Sequence, residues 1–296
     1  MVRTESLTKQ YGKITALDRC TLSIPQGKVF GLLGPNGSGK TTLIRLLLGF
    51  LRPTSGQATI DGLDSYDRSL DIRRRVAYLP GELRIFRQLR GHQVLDFFTG
   101  IRPGCNRRQL ENYANRFELD LTRRVSAMST GMRQKLGLAM TLAAPTPWII
   151  LDEPTANLDP NVRDIVLTMI GEANHQGRTV ILSSHVLSEV ESVCEHVAIL
   201  NHGQVIHVQD MHSICQHHRI RVRLTGPMPP IPGFLDNVEL IKPSTAQKDN
   251  LEIRYVGDLA DLLWWLATLP VEQVQINSVG LKSIYDRELD NSSTLP

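Results

Sequence analysis

A glycine-rich stretch between a short apolar run and a helical pattern constrains this chain more than any other feature. Residues 34–41 read Gly-Pro-Asn-Gly-Ser-Gly-Lys-Thr and match the pattern Gly-x-x-x-x-Gly-Lys-Thr. The apolar run at residues 29–33 predicts a buried strand, and residues 42–50 predict a mostly apolar helix. A phosphate-binding P-loop lies between a strand and a helix in this way. An ordinary glycine-rich turn needs neither flanking element.

The residue types in this loop fit a polyphosphate. Glycines let successive backbone N–H groups turn inwards around phosphate oxygens, and the N-terminus of the following helix favours an anion. Lys40 can reach the β- and γ-phosphates, and the Thr41 hydroxyl can bind Mg²⁺. The predicted nucleotide-binding residues of the loop are Gly34, Pro35, Asn36, Gly37, Ser38, Gly39, Lys40, Thr41 and Thr42.

A second motif lies further along the chain, where an apolar run ends in two acids. Residues 149–151 are Ile-Ile-Leu and predict a buried strand, which Asp152 and Glu153 follow. Beside a phosphate loop, Asp152 can hold Mg²⁺ directly or through water, and Glu153 can orient or deprotonate an attacking water. A strand that ends in two solvated acids is the alternative, and the P-loop upstream makes it the weaker interpretation.

Two further side chains are candidates for contact with a nucleotide. Residues 179–185 predict a buried strand ending in Ser-Ser-His, and we expect it beside the strand of Asp152. That position would put His185 near the γ-phosphate, although a structural histidine is the other interpretation. Tyr11 precedes a turn at Gly12, and its ring could stack on adenine or serve only in packing.

Composition limits the class of protein. The length of 296 residues suggests about two domains, and 41% hydrophobic residues suffice for a sizeable core. We find no apolar signal-peptide core at the N-terminus and no apolar run near the roughly 18 residues that cross a bilayer. A net charge of +3 does not by itself predict nucleic-acid binding. Scattered cysteines predict a reducing cytosol rather than a zinc site or disulfides: Cys20, Cys105, Cys194 and Cys215.

The pattern of apolar and polar residues changes at about residue 211. Before it, residues 82–135 show helical spacing of apolar residues and an excess of basic ones, which could face anionic lipid headgroups or only solvent. After it, residues 212–296 predict a small α+β accessory domain, with a helix at residues 259–269 between short strands. The chain is therefore expected to hold a nucleotide-binding domain at residues 1–211 and a second domain after it.

The motifs together resemble one family. Residues 128–135, Met-Ser-Thr-Gly-Met-Arg-Gln-Lys, resemble the signature of ATP-binding cassette (ABC) proteins, which is usually Leu-Ser-Gly-Gly-Gln. Residues 157–160 resemble the family's D-loop, which includes Asp159, and His185 resembles its switch histidine. Residues 1 to about 210 are thus similar to the nucleotide-binding domain of an ABC transporter. The sequence Tyr-Leu-Pro-Gly-Glu at residues 78–82 looks like the bacterial drug- and antibiotic-export type.

The resemblance implies an α/β fold: a P-loop NTPase core with an antiparallel β subdomain and a helical subdomain at about residues 82–135, plus the small C-terminal α+β domain. It implies an ATPase that uses ATP and Mg²⁺, with Lys40, Glu153 and His185 as catalytic residues and Thr41 and Asp152 at the metal. Two ATPs would lie between two head-to-tail copies of the chain. The signature residues of one copy would complete the γ-phosphate site of the other: Ser129, Thr130, Gly131 and Met132.

The same resemblance implies partners and a location. Closure of the homodimer on ATP would move a separate integral membrane permease, which places the chain in the cytoplasm, peripheral on the cytoplasmic face of the cell membrane. No nucleic-acid partner is expected. The alternative is a soluble ABC ATPase acting on nucleic acid or ribosomes. Such proteins usually carry two ATPase domains or long coiled-coil insertions, whereas this chain shows one P-loop and no sustained heptads.

Two positions depart from the family pattern. Thr130 replaces the first signature glycine and adds a Cβ and a hydroxyl where a backbone would approach closely. Gly81, followed by Glu82, stands at the Q-loop position, where the family has a glutamine.

Overall fold

The strands of the N-terminal part of the chain follow its apolar runs. The computed structural model describes residues 1–215, 217–226, 230–233, 235, 237–241, 250–257, 259–278 and 280–293. It divides into two units, Met1–Val208 and Gln209–Pro296. The strands that begin in the first unit are β1 Val2–Tyr11, β2 Ile14–Ile24, β3 Val29–Leu33, β4 Ser55–Ile60, β5 Leu63–Asp64, β6 Val76–Leu79, β7 Trp148–Asp152, β8 Thr179–Ser184, β9 His196–Asn201 and β10 Gln204–Asp210.

The helices of the first unit lie between these strands, and a 3₁₀ turn, Val125–Ala127, precedes the fifth of them. None of the helices in the described part of the chain combines the length and the apolar character that a membrane crossing requires. The helices are α1 Lys40–Leu47, α2 Ser69–Arg75, α3 Gly91–Ile101, α4 Arg107–Arg116, α5 Thr130–Ala143, α6 Pro160–His175 and α7 Leu187–Val193.

Two sheets form the layers of the first unit. An antiparallel sheet has the strand order β2-β1-β4-β5. A six-stranded sheet has the order β10-β9-β3-β8-β7-β6, and β3 pairs in parallel with both β8 and β9. Because β7 pairs in parallel with β8, the carboxyl ends of β3, β7 and β8 meet at one edge of the sheet. That edge is where polar side chains and the P-loop come together.

One apolar core joins the two sheets and the helix after the P-loop. It includes Leu17 of β2, Phe30 of β3, Ile44 of α1 and Ile150 of β7, all nearly inaccessible to solvent. Burial on this scale is the main favourable term that holds the layers together. The core therefore fixes the strand ends that carry the P-loop and the paired acids.

Helix α1 is shorter than the sequence pattern predicted. It begins at Lys40 rather than at residue 42, and it ends at Leu47 rather than at residue 50. Gly49 has a φ of 65°, a left-handed conformation that ends helices. The pattern could not show this end because Phe50 continues the apolar run, yet its side chain is exposed.

The C-terminal unit has its own sheet and core. It comprises α8 Met211–Cys215, β11 His217–Leu224, β12 Val238–Ile241, β13 Asn250–Val256, α9 Leu259–Leu266, β14 Val271–Ser278 and α10 Leu281–Ser293. The sheet has the order β12-β13-β11-β14, and its described pairings are antiparallel. Ile220, Ile253, Leu262 and Trp265 lie in its core. The side chain of Cys215 lies outside the described residues, whereas Cys20, Cys105 and Cys194 are free thiols.

Candidate nucleotide site

The glycine loop between β3 and α1 has the shape of an anion cradle. Gly39 precedes α1 with a φ of 105°, and a Cβ at this position would lie 2.8 Å from the Ala16 carbonyl oxygen. A larger residue would therefore distort the loop. A Cβ on Gly37 would meet nothing within 4 Å, so the loop is open on that side. The Ser38 hydroxyl is buried and has no hydrogen-bond partner, which leaves it available to a ligand in the loop.

Lys40, the first residue of α1, is folded back over this loop. Its ammonium group donates hydrogen bonds to the carbonyl oxygens of Gly34, at 2.7 Å, and Pro35, at 3.1 Å. The side chain is only 6% exposed, and the ammonium lies 3.6 Å from Glu153 Oε1. Burial lowers the pKa of Lys40, and attraction to Glu153 and Asp152 opposes that effect. The loop thus holds a nearly buried cation next to a carboxylate.

Asp152, the last residue of β7, is a buried carboxylate with a partner on each oxygen. Oδ1 accepts a hydrogen bond from the Ser183 hydroxyl at 2.6 Å, and Oδ2 accepts one from the Thr41 hydroxyl at 2.9 Å. Octahedral Mg²⁺ with ligands at 2.0–2.1 Å separates adjacent ligand oxygens by about 2.9 Å. The Thr41 and Asp152 oxygens therefore have a spacing that two adjacent ligands of Mg²⁺ would have.

Glu153 follows directly and lies in a strained backbone conformation. Its φ is 50°, a left-handed backbone conformation that few residues with a side chain adopt. Its N–H donates to the Ser183 hydroxyl at 2.9 Å, which helps to hold this conformation. Oε2 lies 2.8 Å from Nδ1 of His185, while Oε1 is buried without a hydrogen-bond partner. Glu153 thus stands between a cation and an imidazole.

Known proteins resemble this chain in sequence. A family model described as ABC transporter matches residues 17–156. The daunorubicin resistance ATP-binding protein DrrA2 of Streptomyces coeruleorubidus is 30% identical over 293 residues, which cover 95% of this chain and 91% of that protein.

The chain belongs to the ABC transporter family of ATP-binding proteins.

Another relative and a solved structure agree with this assignment. The ABC transporter ATP-binding protein all4389 of Nostoc sp. is 35% identical over 224 residues, which cover 70% of this chain and 65% of the relative. The dimeric ATP-binding cassette MJ0796, in a post-hydrolysis state bound to ADP and Pi, superposes with a TM-score of 0.64. It is 25% identical, and the match covers 71% of this chain and 99% of that one. The family resemblance and the expected fold class are confirmed, and the chain is an ATP-binding, ATP-hydrolysing subunit of an ABC transporter.

The segments predicted as the ABC signature and the D-loop lie close together in the fold. Ser129 precedes α5 and its hydroxyl accepts a hydrogen bond from the Met132 N–H at 3.2 Å. A Cβ on Gly131 would lie 3.0 Å from the carbonyl oxygen of Asn157, so the signature contacts the segment that leads to Asp159. Asp159 is exposed and precedes α6, as its position before Pro160 predicts. Among the described residues, no hydrogen bond or ion pair joins Ser129 to Lys40 of the same chain.

Three other predicted site residues, Tyr11, Gly81 and Glu82, lie in different surroundings. Tyr11 is 46% exposed, and the Lys9 ammonium stands 5.1 Å from its ring centroid. Gly81 lies against Asp152, since a Cβ there would be 3.6 Å from Oδ2. The Glu82 side chain is 82% exposed and forms an ion pair with Arg84 at 3.1 Å. Glu82 therefore does not occupy the cluster in place of the missing glutamine.

Sequence reasoning missed two buried side chains that support the site. Gln134 donates to the carbonyl oxygen of Pro154 at 3.1 Å and so ties the signature helix α5 to the loop after β7. Glu189 of α7 accepts hydrogen bonds on one carboxylate oxygen from the hydroxyls of Thr155 and Ser184, both at 2.8 Å. Thr155 lies two residues after Glu153, and Ser184 directly precedes His185. An acid in an amphipathic helix pattern carries no signal of this role.

We expect Glu189→Ala to lower kcat several-fold with little change in the KM for ATP. The substitution leaves two buried hydroxyls without an acceptor, which also costs about 1–3 kcal/mol of folding stability. Glu189→Gln keeps an acceptor oxygen, so its kcat and its folding stability should both be close to those of the wild type. Steady-state ATPase kinetics and thermal unfolding test this, with Glu191→Ala, at an exposed position of the same helix, as the control. Turnover at the wild-type rate in Glu189→Ala would show that the carboxylate does not position the site.

Proposed function

We propose that the chain is the ATPase subunit of an exporter, that it closes as a homodimer around two ATPs, and that this closure drives a separate integral membrane permease. It would work in the cytoplasm, peripheral on the cytoplasmic face of the cell membrane. The ATPase part of this proposal rests on the cluster of Lys40, Glu153 and His185. The carboxyl ends of β3, β7 and β8 meet at one edge of the sheet, so this cluster lies beside the P-loop. Relatives named for daunorubicin resistance and bacitracin transport support an exporter.

The cluster has the groups that ATP hydrolysis needs. Glu153 would accept a proton from the attacking water, as a general base close to the loop. His185 would hold the Glu153 carboxylate in place, since its Nδ1 lies 2.8 Å from Oε2. Lys40 would turn from its two carbonyl partners to the β- and γ-phosphates, where a positive charge stabilises the transition state.

Thr41 and Asp152 would hold Mg²⁺. Their oxygens are already 2.9 Å apart, and Ser183 keeps the Asp152 carboxylate oriented through a 2.6 Å hydrogen bond. When bound, Mg²⁺ neutralises charge on the β- and γ-phosphate oxygens.

The signature segment supports the dimer. Ser129 and Thr130 are exposed at the start of α5, so a second copy of the chain could approach them. Arg133 donates to the Thr130 hydroxyl at 3.2 Å and to the Met128 carbonyl oxygen at 2.6 Å. The first of these bonds holds the threonine hydroxyl against its own helix. Ser129, Gly131 and Met132 would then reach the γ-phosphate on the partner's P-loop, as a two-fold arrangement requires.

An exposed apolar patch on the helical subdomain is the proposed contact with the permease. It consists of Phe86, Phe97 and Ile101, which are 57%, 46% and 61% exposed. Phe97 and Ile101 are one turn apart on α3, and the rings of Phe86 and Phe97 meet edge to face at 5.3 Å. Exposed aromatic groups of this kind mark protein interaction sites.

We expect Phe86→Ser and Phe97→Ser to reduce recovery of a multi-span membrane protein with the tagged chain by about tenfold, because anchor residues of an interface contribute 1–2 kcal/mol or more. The measurement is affinity purification from detergent-solubilised membranes of the host, quantified by mass spectrometry. Leu70→Ser is the matched control, since Leu70 is 68% exposed on α2.

All three variants should bind ATP like the wild type, which shows that they are folded. Equal recovery of the membrane protein with the patch variants and the control would contradict the proposed contact surface. Co-purification of ribosomal RNA in place of a membrane protein would instead favour an ATPase acting on nucleic acid or ribosomes.

A further inference from the structure

A large cavity in the C-terminal unit is not part of the nucleotide site. Its volume is about 1080 Å³, slightly above the roughly 300–1,000 Å³ of typical small-molecule sites. Arg219 and Arg221 of β11 and Arg254 of β13 line one wall, and Lys282 and Arg287 of α10 line another. The cavity therefore has five cationic side chains around one concave space, and two acids, Glu239 and Asp286, also line it.

The sheet wall places two positive charges directly opposite each other. Arg219 and Arg254 are cross-strand partners in the antiparallel pairing of β11 with β13. Side chains at such positions start about 4.5–5.5 Å apart at Cβ, and like charges there destabilise a sheet. Arg221, two residues along β11, lies on the same face as Arg219. Acids offset part of this charge, because Glu239 of β12 is a cross-strand partner of Arg254 and Glu252 of β13 is one of Arg221.

The carboxylates around the cavity do not fully engage these cations. Glu252 forms a close ion pair with Arg219, but it lies 3.8 Å from Arg221, too far for a hydrogen bond. Glu239 is likewise 3.9 Å from Arg254. Arg287 pairs with Glu288 at 3.1 Å.

Lys282 completes the set of cations that remain available. In the described part of the chain it has no ion pair. Arg221 and Arg254 keep 59% and 57% of their side-chain surface exposed. Three cations that line the cavity thus have donors free for another acceptor.

We propose that this cavity binds a small organic molecule through a phosphate group, with Arg221, Arg254 and Lys282 as its main donors. Guanidinium groups match phosphate oxygens with paired hydrogen bonds, and an ammonium adds a point charge. A phosphate group between Arg219 and Arg254 would also relieve the repulsion of the cross-strand pair. The cavity is much larger than a phosphate ion, so the rest of the molecule would lie between α10 and the sheet.

The test is NMR of the full chain with ¹⁵N-labelled arginine side chains, at constant ionic strength. On addition of glycerol 3-phosphate, the Nε signals of Arg221 and Arg254 should shift and saturate. Sodium chloride should cause no saturable shift. These signals are specific to the C-terminal unit, so phosphate binding at the P-loop does not interfere with the measurement. Linear, unsaturated shifts with the phosphate compound would overturn the proposal.

Matched variants distinguish a specific binding site from a general attraction of anions to positive charge. Arg221→Gln and Arg254→Gln should each raise the dissociation constant about tenfold or more, as expected for loss of a hydrogen bond between charged groups. Arg223→Gln removes the same charge from the same strand, outside the cavity lining, and should change it less than twofold. Equal effects of all three variants would show that the anion is attracted only by the overall positive charge, and this would contradict the proposed site.

Two further arms complete the experiment. Arg254→Lys keeps the charge without the planar fork, so it should bind more weakly than the wild type and more tightly than Arg254→Gln, even if one of the glutamine variants fails to fold. Inorganic phosphate should bind the wild type more weakly than glycerol 3-phosphate, because it leaves most of the cavity empty. Equal affinity for the two would contradict the organic part of the proposal.

Discussion

Glu153→Gln is expected to abolish steady-state ATP turnover and to hold the chain in an ATP-bound dimer. The change keeps the size of the side chain but removes the carboxylate that accepts the proton, a loss of roughly 10²- to 10⁴-fold. ATP binding should survive, because the P-loop, Lys40 and the Thr41–Asp152 pair are unchanged. With hydrolysis blocked, contacts that span both subunits should shift monomer towards dimer. ATPase assays and sizing chromatography with Mg·ATP measure the two effects.

Asp152→Asn provides the matched comparison for this result. It changes the neighbouring carboxylate, which holds Thr41 and Ser183 rather than the attacking water. We expect weaker Mg²⁺ binding, so both turnover and nucleotide-driven dimerisation should fall. If Glu153→Gln hydrolyses ATP at the wild-type rate, Glu153 is not the base, and His185 or the substrate itself must take that role.

Lys40→Ala is expected to reduce kcat by about 10²- to 10³-fold, the range seen when one preorganised group that stabilises developing charge is removed. The ammonium is almost buried and has no substitute nearby in the loop. Its loss also leaves the Glu153 carboxylate without the cation 3.6 Å away. Binding of Mg·ATP should weaken as well, since the phosphates lose a positive charge. Steady-state kinetics and equilibrium binding of ATP separate the two losses.

The control for this variant is Lys28→Ala. Lys28 also lies at an end of β3 and forms an ion pair with Glu195, but it is at the end remote from the glycine loop. The Lys28→Ala variant should therefore hydrolyse ATP at close to the wild-type rate. Hydrolysis by Lys40→Ala at the wild-type rate would refute the assignment of the P-loop to ATP.

The elements that the sequence predicted well are those with local signals. Strand β3 has the bounds that its pattern predicted, because an apolar run directly before the glycines marks where the strand ends. Three elements of the C-terminal unit were missed, and each is short or weakly patterned: α8, β12 and α10. The first unit ends at Val208, three residues before the expected boundary.

The candidate site shows the same division between local and distant information. The glycine spacing, the acid pair and the histidine could each be identified from neighbours in sequence. Glu189 could not, because its hydrogen bonds reach 34 residues back to Thr155 as well as to Ser184 nearby. The exposure of Phe97 was equally hidden: its spacing on α3 resembles that of Val94 and Leu95, which are buried, and only the packing of neighbouring helices tells them apart.

The sequence by itself determined which chemical groups this protein brings to ATP, because glycine freedom, carboxylate pairs and strand patterns are properties of a few adjacent residues. Only the tertiary structure decided how those groups meet. The pairing of β3 and β7 with β8 places Lys40 3.6 Å from Glu153, and Thr41 2.9 Å from Asp152, although about 110 residues separate them in the chain. Those distances depend on packing a shared core, and that is a cooperative property of the whole sheet rather than of any segment.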